Sequence, residues 1–288
     1  MPVPDDVDRI LSSLPTPARF ADAAKPCMEN AWDQKSDVPL WNLVRKVNNG
    51  ANLPADLQTI GDCVSHGHAR GLDYLQCIQI ALGKRDDAYV EGQNSVMSEA
   101  VYGMCREEGN GLGMQDGAAG IWAVEALRKG GFIPRTGKLY DGRLAKEWGR
   151  TGCPSEVKSL AKKHLLEQYA RVSNAQEAIN ALWNGKPVTV CSNQGFTMTR
   201  NQDGICEAQG SWAHCMLFIG AYIVGNELIF CCLQSWGQNV PSGPTVKGMP
   251  DNSFGIRTII ADRMLRSGDS YALSAAQGFP AEKINFYV

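Results

Sequence analysis

The sequence predicts an α+β fold in two lobes, with helices first and strands later. Three observations carry that reading. Residues 63–129 hold apolar positions at helical spacing. From Lys186 onward the chain turns to short strand-like runs. The two kinds do not alternate as they would in a parallel βαβ sheet. The chain has 288 residues, 44% of them apolar and 20% charged, an ordinary globular composition. A chain of that length buries roughly 75% of the surface its unfolded form exposes, enough for one large domain or two lobes.

The elements follow in order. Residues 1–37 are rich in Pro, Ala and charge, with a short helix expected over 7–14; they read as an extension or arm. The globular part is placed at 38–288, with a mainly helical lobe over 38–170 and a mainly β lobe over 171–288. A helix is predicted over 63–82, starting after Gly61-Asp62, with Asp62 as a cap whose carboxylate accepts from free first-turn N–H groups. Leu72, Leu75, Ile78 and Leu82 would form its buried stripe. Gly67 and Gly71 stand at i+4 and i+8 from Cys63. Each costs about 1 kcal/mol relative to alanine, so a partner packed closely on that face is expected. Helices over 96–108 and 117–129 flank a glycine-rich loop at 109–113. A helix over 174–183, capped by Ser173 or Asn174, precedes strands over 187–191, 214–224, 227–233 and 255–260. Gly225-Asn226 is a hairpin turn between two of them. Their paired residue numbers then add to 451, which brings Gln234 near His214 but on the opposite face unless a bulge intervenes.

Charge excludes one class of function. With 28 Lys and Arg against 30 Asp and Glu, the net charge is -2, so the chain lacks the basic excess of a nucleic-acid binder. Its longest apolar run, 215–224, is far short of the ~20 residues a membrane helix needs. No secretion signal opens the sequence, so a cytoplasmic or virion-associated protein is expected. The ten cysteines are then expected as thiols without a structural disulfide. No C-x-x-C occurs, and Cys63, His66 and His68 have no second ligand pair, so neither metal nor other cofactor is predicted. His66 reads as a neighbour of Cys63 and not as its base.

Cys63 sits at the first position of its helix, where the dipole and unpaired N–H groups favour a thiolate. The bare alternative is a small buried residue. His214 opens an apolar strand, as a core histidine or a base at a lobe interface.

Three segments in this order resemble the papain-like cysteine peptidases: Gln58-Thr59-Ile60-Gly61-Asp62-Cys63, then Trp212-Ala213-His214 with the apolar run ending at Gly220-Ala221-Tyr222, then Gln234-Ser235-Trp236-Gly237. The late run Ser253-Phe254-Gly255-Ile256-Arg257 is similar to that family's closing strand. The resemblance spans about residues 38–288. It implies a helical lobe carrying the nucleophile helix, an antiparallel barrel-like second lobe, and a peptide or protein substrate. It implies Cys63 as nucleophile, His214 as base and then acid, Gln58 as oxyanion donor, Gln234 as the residue holding the imidazole, and Trp236 as its shield. The chain departs from the family at Gln234, where an asparagine is usual, at Val64 after the nucleophile, and in a Gln58-to-Cys63 spacing one residue shorter. Ile60 stands where many secreted members carry a disulfide cysteine. Two other readings stand beside the peptidase: a papain-fold structural component of a larger assembly, such as a virus particle, joined through residues 1–37, and a peptidoglycan amidase.

Overall fold

The computed structural model describes residues 31–84, 89–266 and 269–274. The expected helix over 7–14 lies outside them. After a two-residue strand β1 (Val38–Pro39) come helices α1 (Leu40–Val47), α2 (Cys63–Ala81), α3 (Ser98–Glu108), α4 (Gly120–Lys129), α5 (Gly142–Thr151) and α6 (Ser155–Ala161). Strand β2 (Gln168–Arg171), helix α7 (Ala175–Trp183), strands β3 (Val188–Phe196), β4 (Ala208–Val224), β5 (Glu227–Leu233) and β6 (Ser253–Arg257), helix α8 (Thr258–Arg266) and strand β7 (Asp269–Ser274) complete the order. The helices-then-strands reading therefore holds.

The strands form one antiparallel sheet in the order β2-β7-β3-β4-β5-β6, with β1 against the far end of β4. The link between β3 and β4 folds across to the edge of β6, where Cys206 N–H donates to Gly255 O at 3.0 Å and Gly255 N–H to Gly204 O at 2.7 Å. That strap curls the sheet toward the expected barrel. The main core lies on the β side and takes in Val38, Trp41 and Leu43 from the N-terminal segment. A second cluster joins α2 and α4 to the sheet through Leu72, Trp122, Cys215 and Leu273.

Several elements differ from expectation. Strand β3 runs on to Phe196 and β4 begins at Ala208, both longer than their apolar stretches. Residues 258–260 are not strand but the first turn of α8. Helix α5, which the sequence does not predict, buries Ala145 and Gly149 and packs Leu144 and Trp148 against an apolar cluster with Met104 and Cys153. Asp62 precedes α2 but makes no side-chain cap; its carboxylate goes to the Tyr140 hydroxyl at 2.8 Å, and its main-chain carbonyl takes the Ser65 hydroxyl at 2.7 Å. Asn174 does cap α7, accepting from Glu177 N–H at 2.9 Å.

The glycines on α2 have their partner. A Cβ at Gly67 would stand 3.1 Å from Cys215 Sγ, and one at Gly71 would stand 2.7 Å from Leu273 Cδ1. Strands β4 and β7 thus lie directly on the Cys63 face of the helix.

Candidate active site

Cys63 begins α2 and is half-buried. Its sulfur accepts from the N–H of Cys215 at 3.4 Å. That N–H is free because β5 ends at Leu233, opposite Leu217. Beyond that pair β4 has no neighbour on the β5 side, and α2 takes the place. The nucleophile candidate and the strand carrying His214 are therefore joined by a main-chain contact.

Strands β4 and β5 explain the rest. Around the Gly225-Asn226 turn the paired numbers add to 451, from Val224↔Glu227 to Gly220↔Cys231. Ile219 is then an extra residue, a bulge, and the sum falls to 450 at Phe218↔Cys232 and Leu217↔Leu233. Continued past the ladder, that register sets position 236, not 237, across from position 214. The rings meet accordingly: His214 stacks on Trp236 with centroids 4.3 Å apart and planes 22° from parallel. Trp212 closes on Trp236 edge-on at 4.8 Å.

Gln234 departs from the role the resemblance implies. Its amide nitrogen donates to Val240 O and its amide oxygen accepts from Trp236 N–H. His214 Nε2 has no hydrogen-bond partner. The imidazole is thus held by the face of Trp236, and Gln234 acts one step back by shaping the turn that carries Trp236. The extra methylene relative to asparagine lets the side chain reach across that turn.

Gln58 lies in a segment fastened to the same turn. Gln58 N–H donates to Ser235 O at 2.9 Å, Gly237 N–H to Asp56 O at 2.8 Å, and the Ser235 hydroxyl to Gln58 Oε1 at 2.6 Å. The Gln58 amide nitrogen donates to Ile60 O at 2.9 Å, leaving its second N–H unspent. The main-chain N–H of Cys63 belongs to the first helical turn, which has no intrahelical acceptor.

Sequence reasoning missed what surrounds Cys63. Asp62 is fully buried, and its carboxylate stands 3.5 Å from His66 Nε2. The His66 ring packs edge-on against Tyr140 at 4.7 Å. His66 and Gln234 line one small cavity with Arg70, Gly67, Cys215 and Ser235. Tyr140, far away in sequence, had no signal that could have found it. His68 is a satisfied core histidine: its Nδ1 lies 2.7 Å from Val64 O and its Nε2 3.2 Å from the Thr189 hydroxyl. Among the described residues no group of side chains could hold a metal ion.

The electrostatics run against the thiolate expectation. Burial, with Cys191 and Asp62 adding to it, pushes the Cys63 thiol up to about 12, against the pull of the Cys215 and Val64 N–H groups. Burial and then the nearby His66 push His214 down to about 3. The helix start that would lower a thiol's pKa is outweighed by loss of water. Both shifts favour the neutral forms, a thiol at Cys63 and an imidazole at His214.

These elements, in this order and with a helix-borne cysteine against the strand that carries a histidine, make a papain-like two-lobed fold. Among solved structures the chain is similar to xylellain, a cysteine protease from Xylella fastidiosa, at 15% identity and a TM-score of 0.57, covering 80% of this chain and 86% of that one. It is similar to procathepsin L 3 of Tenebrio molitor at 13% identity and 0.56, over 89% and 76%, and to bromelain from Ananas comosus at 13% and 0.50, over 77% and 94%. No protein-family model and no curated protein sequence matches the chain.

Proposed function

We propose that the chain is a cysteine peptidase in which Cys63 attacks the carbonyl carbon of a peptide or protein substrate. The observation that supports this most is the contact of Cys63 with the strand residue next to His214, whose Nε2 is unpartnered. From the neutral resting state His214 acts first as general base. It takes the thiol proton as the sulfur attacks, then passes it to the leaving amine. The unspent Gln58 N–H and the Cys63 main-chain N–H are the donors available to the developing oxyanion. Trp236 keeps water from one face of the imidazole, and the acyl-thioester is released by water.

The test pairs cleavage with labelling. The protein is incubated with a denatured protein mixture, and separately with an epoxysuccinyl thiol probe followed by peptide mapping. Cleavage lost in Cys63→Ala and His214→Ala, with the probe on Cys63, is expected. No cleavage and no selective label overturns the reading. The neutral, unlinked Cys63 and His214 favour the second reading, a papain-fold assembly component, which that negative result would leave standing.

A further inference from the structure

Nine cysteines are described, and Cys63 and Cys191 are the half-buried ones; the other seven are buried. The two pack against one apolar cluster that also holds Cys215 and Cys105. Cys191 on β3 directly faces Cys215 on β4, so the two side chains leave the same face of the sheet. The backbone sets the kind of pair. Cys215 spends its N–H on Cys63 Sγ, on the side of β4 away from β3. The facing residues are therefore a non-hydrogen-bonded pair, in which Cα atoms stand about 4.5 Å apart and side chains are closest. That spacing is inside the range a disulfide spans without moving the backbone. Asp269 of β7, the partner of Cys191 on its other side, caps α4 through the N–H groups of Gly120 and Ile121 and so holds the Cys191 strand in place.

We propose that Cys191 and Cys215 are a redox-active dithiol in the wall of the site, closed to a cross-strand disulfide by a hydroperoxide, and that closure changes the reactivity of Cys63. The bond itself stands apart from the peptidase reading; its effect on Cys63 rests on that reading. The half-buried Cys191 meets the oxidant. The Cys215 side chain and burial hold its thiol well above the usual range, so alkaline pH favours the step: the sulfur takes one oxygen from the hydroperoxide and the thiol proton goes to the departing oxygen, giving a sulfenic acid and an alcohol or water. The Cys215 sulfur then attacks the Cys191 sulfur, the S–O bond breaks, and the oxygen leaves as water with the Cys215 proton. Two electrons pass from two thiols to one peroxide. Cys63 is the third thiol at hand: once reductant is present, its attack on the closed bond or that of a small thiol reopens it.

The experiment uses the full chain. Reduced protein is treated with hydrogen peroxide at pH 8, blocked with iodoacetamide, and mapped without reduction. A linked pair of peptides carrying Cys191 and Cys215, lost on dithiothreitol, is the expected result. Iodoacetamide on both residues after peroxide, or a link from Cys63 to either, overturns the proposal. The same mapping on Cys63→Ser separates it from the catalytic reading, since the link is expected there undiminished even in a protein that cleaves nothing. In the wild type, the rate of Cys63 alkylation before and after closure is expected to differ at least threefold; equal rates remove the regulatory half.

Discussion

At the scale of single residues, the site depends on how far burial outweighs the helix start. A cysteine at the first position of a helix reads as a thiolate, yet Cys63 is pushed up to about 12 and His214 down to about 3. Alkylation of Cys63 by iodoacetamide is therefore expected to rise about tenfold per pH unit from pH 6 to 10, with no plateau near pH 5; mass mapping against pH measures it, and a plateau would show a preformed ion pair. The residue that holds the imidazole is Trp236. Trp236→Ala is expected to raise the His214 pKa, by admitting water, and to slow Cys63-dependent cleavage about tenfold or more, whereas Trp236→Phe keeps most of the stacking. An NMR titration of His214 reads the first effect. Gln234→Ala removes the two side-chain bonds that shape the turn to Val240, and is expected to cost about 1–3 kcal/mol in denaturant unfolding. Its effect on His214 comes only through the displaced Trp236.

At the scale of elements, much of the site was readable. Helix α2 and its glycines gave both a boundary and a packing face: Cys63–Ala81 against a predicted 63–82, with Gly67 on Cys215. Gly67→Leu is expected to displace the Cys215 sulfur and cost about 1–3 kcal/mol by overpacking. Gly67→Ala is expected near neutral, since helix propensity offsets a contact at 3.1 Å; thermal melts of the two variants decide it. The hairpin register was legible as far as Gly220. What one sequence does not carry is the bulge at Ile219, because every residue from Cys215 to Tyr222 is buried and no in-out alternation marks the slip. The same continuous burial hid which of Gln234, Ser235 and Trp236 would reach His214. Tyr140 and Asp62 were illegible for another reason: their contact joins segments 78 residues apart, and neither carries a local signal for it.

At the scale of the whole molecule, buried histidines tie stability to acid. His68 is fully buried in the main body and is pushed down to about 4 by loss of water. An unfolded histidine titrates near 6.5. Between about 4 and 6.5 the unfolded chain therefore binds a proton that the folded one refuses, so stability falls as pH drops through that window. His68 alone accounts for about 3 kcal/mol by pH 4, and His214 extends the loss toward pH 3. Urea midpoints at pH 7 and 4.5 are expected to differ accordingly, and His68→Leu to flatten the difference; an NMR titration of His68 serves if that variant folds poorly. The bulge in β4 has a further consequence at this scale. Ladder pairs between β4 and β5 bracket it on both sides, and β1 lies against Gly220, where any side chain would meet Val38 O at 2.1 Å. The alignment of His214 with Trp236 is thus indexed locally, like a keyed shaft, and not by the length of the turn. Two residues inserted between Gly225 and Asn226 should lengthen the hairpin tip and leave that alignment untouched, which makes the tip a place where a tag or a reporter can be spliced in.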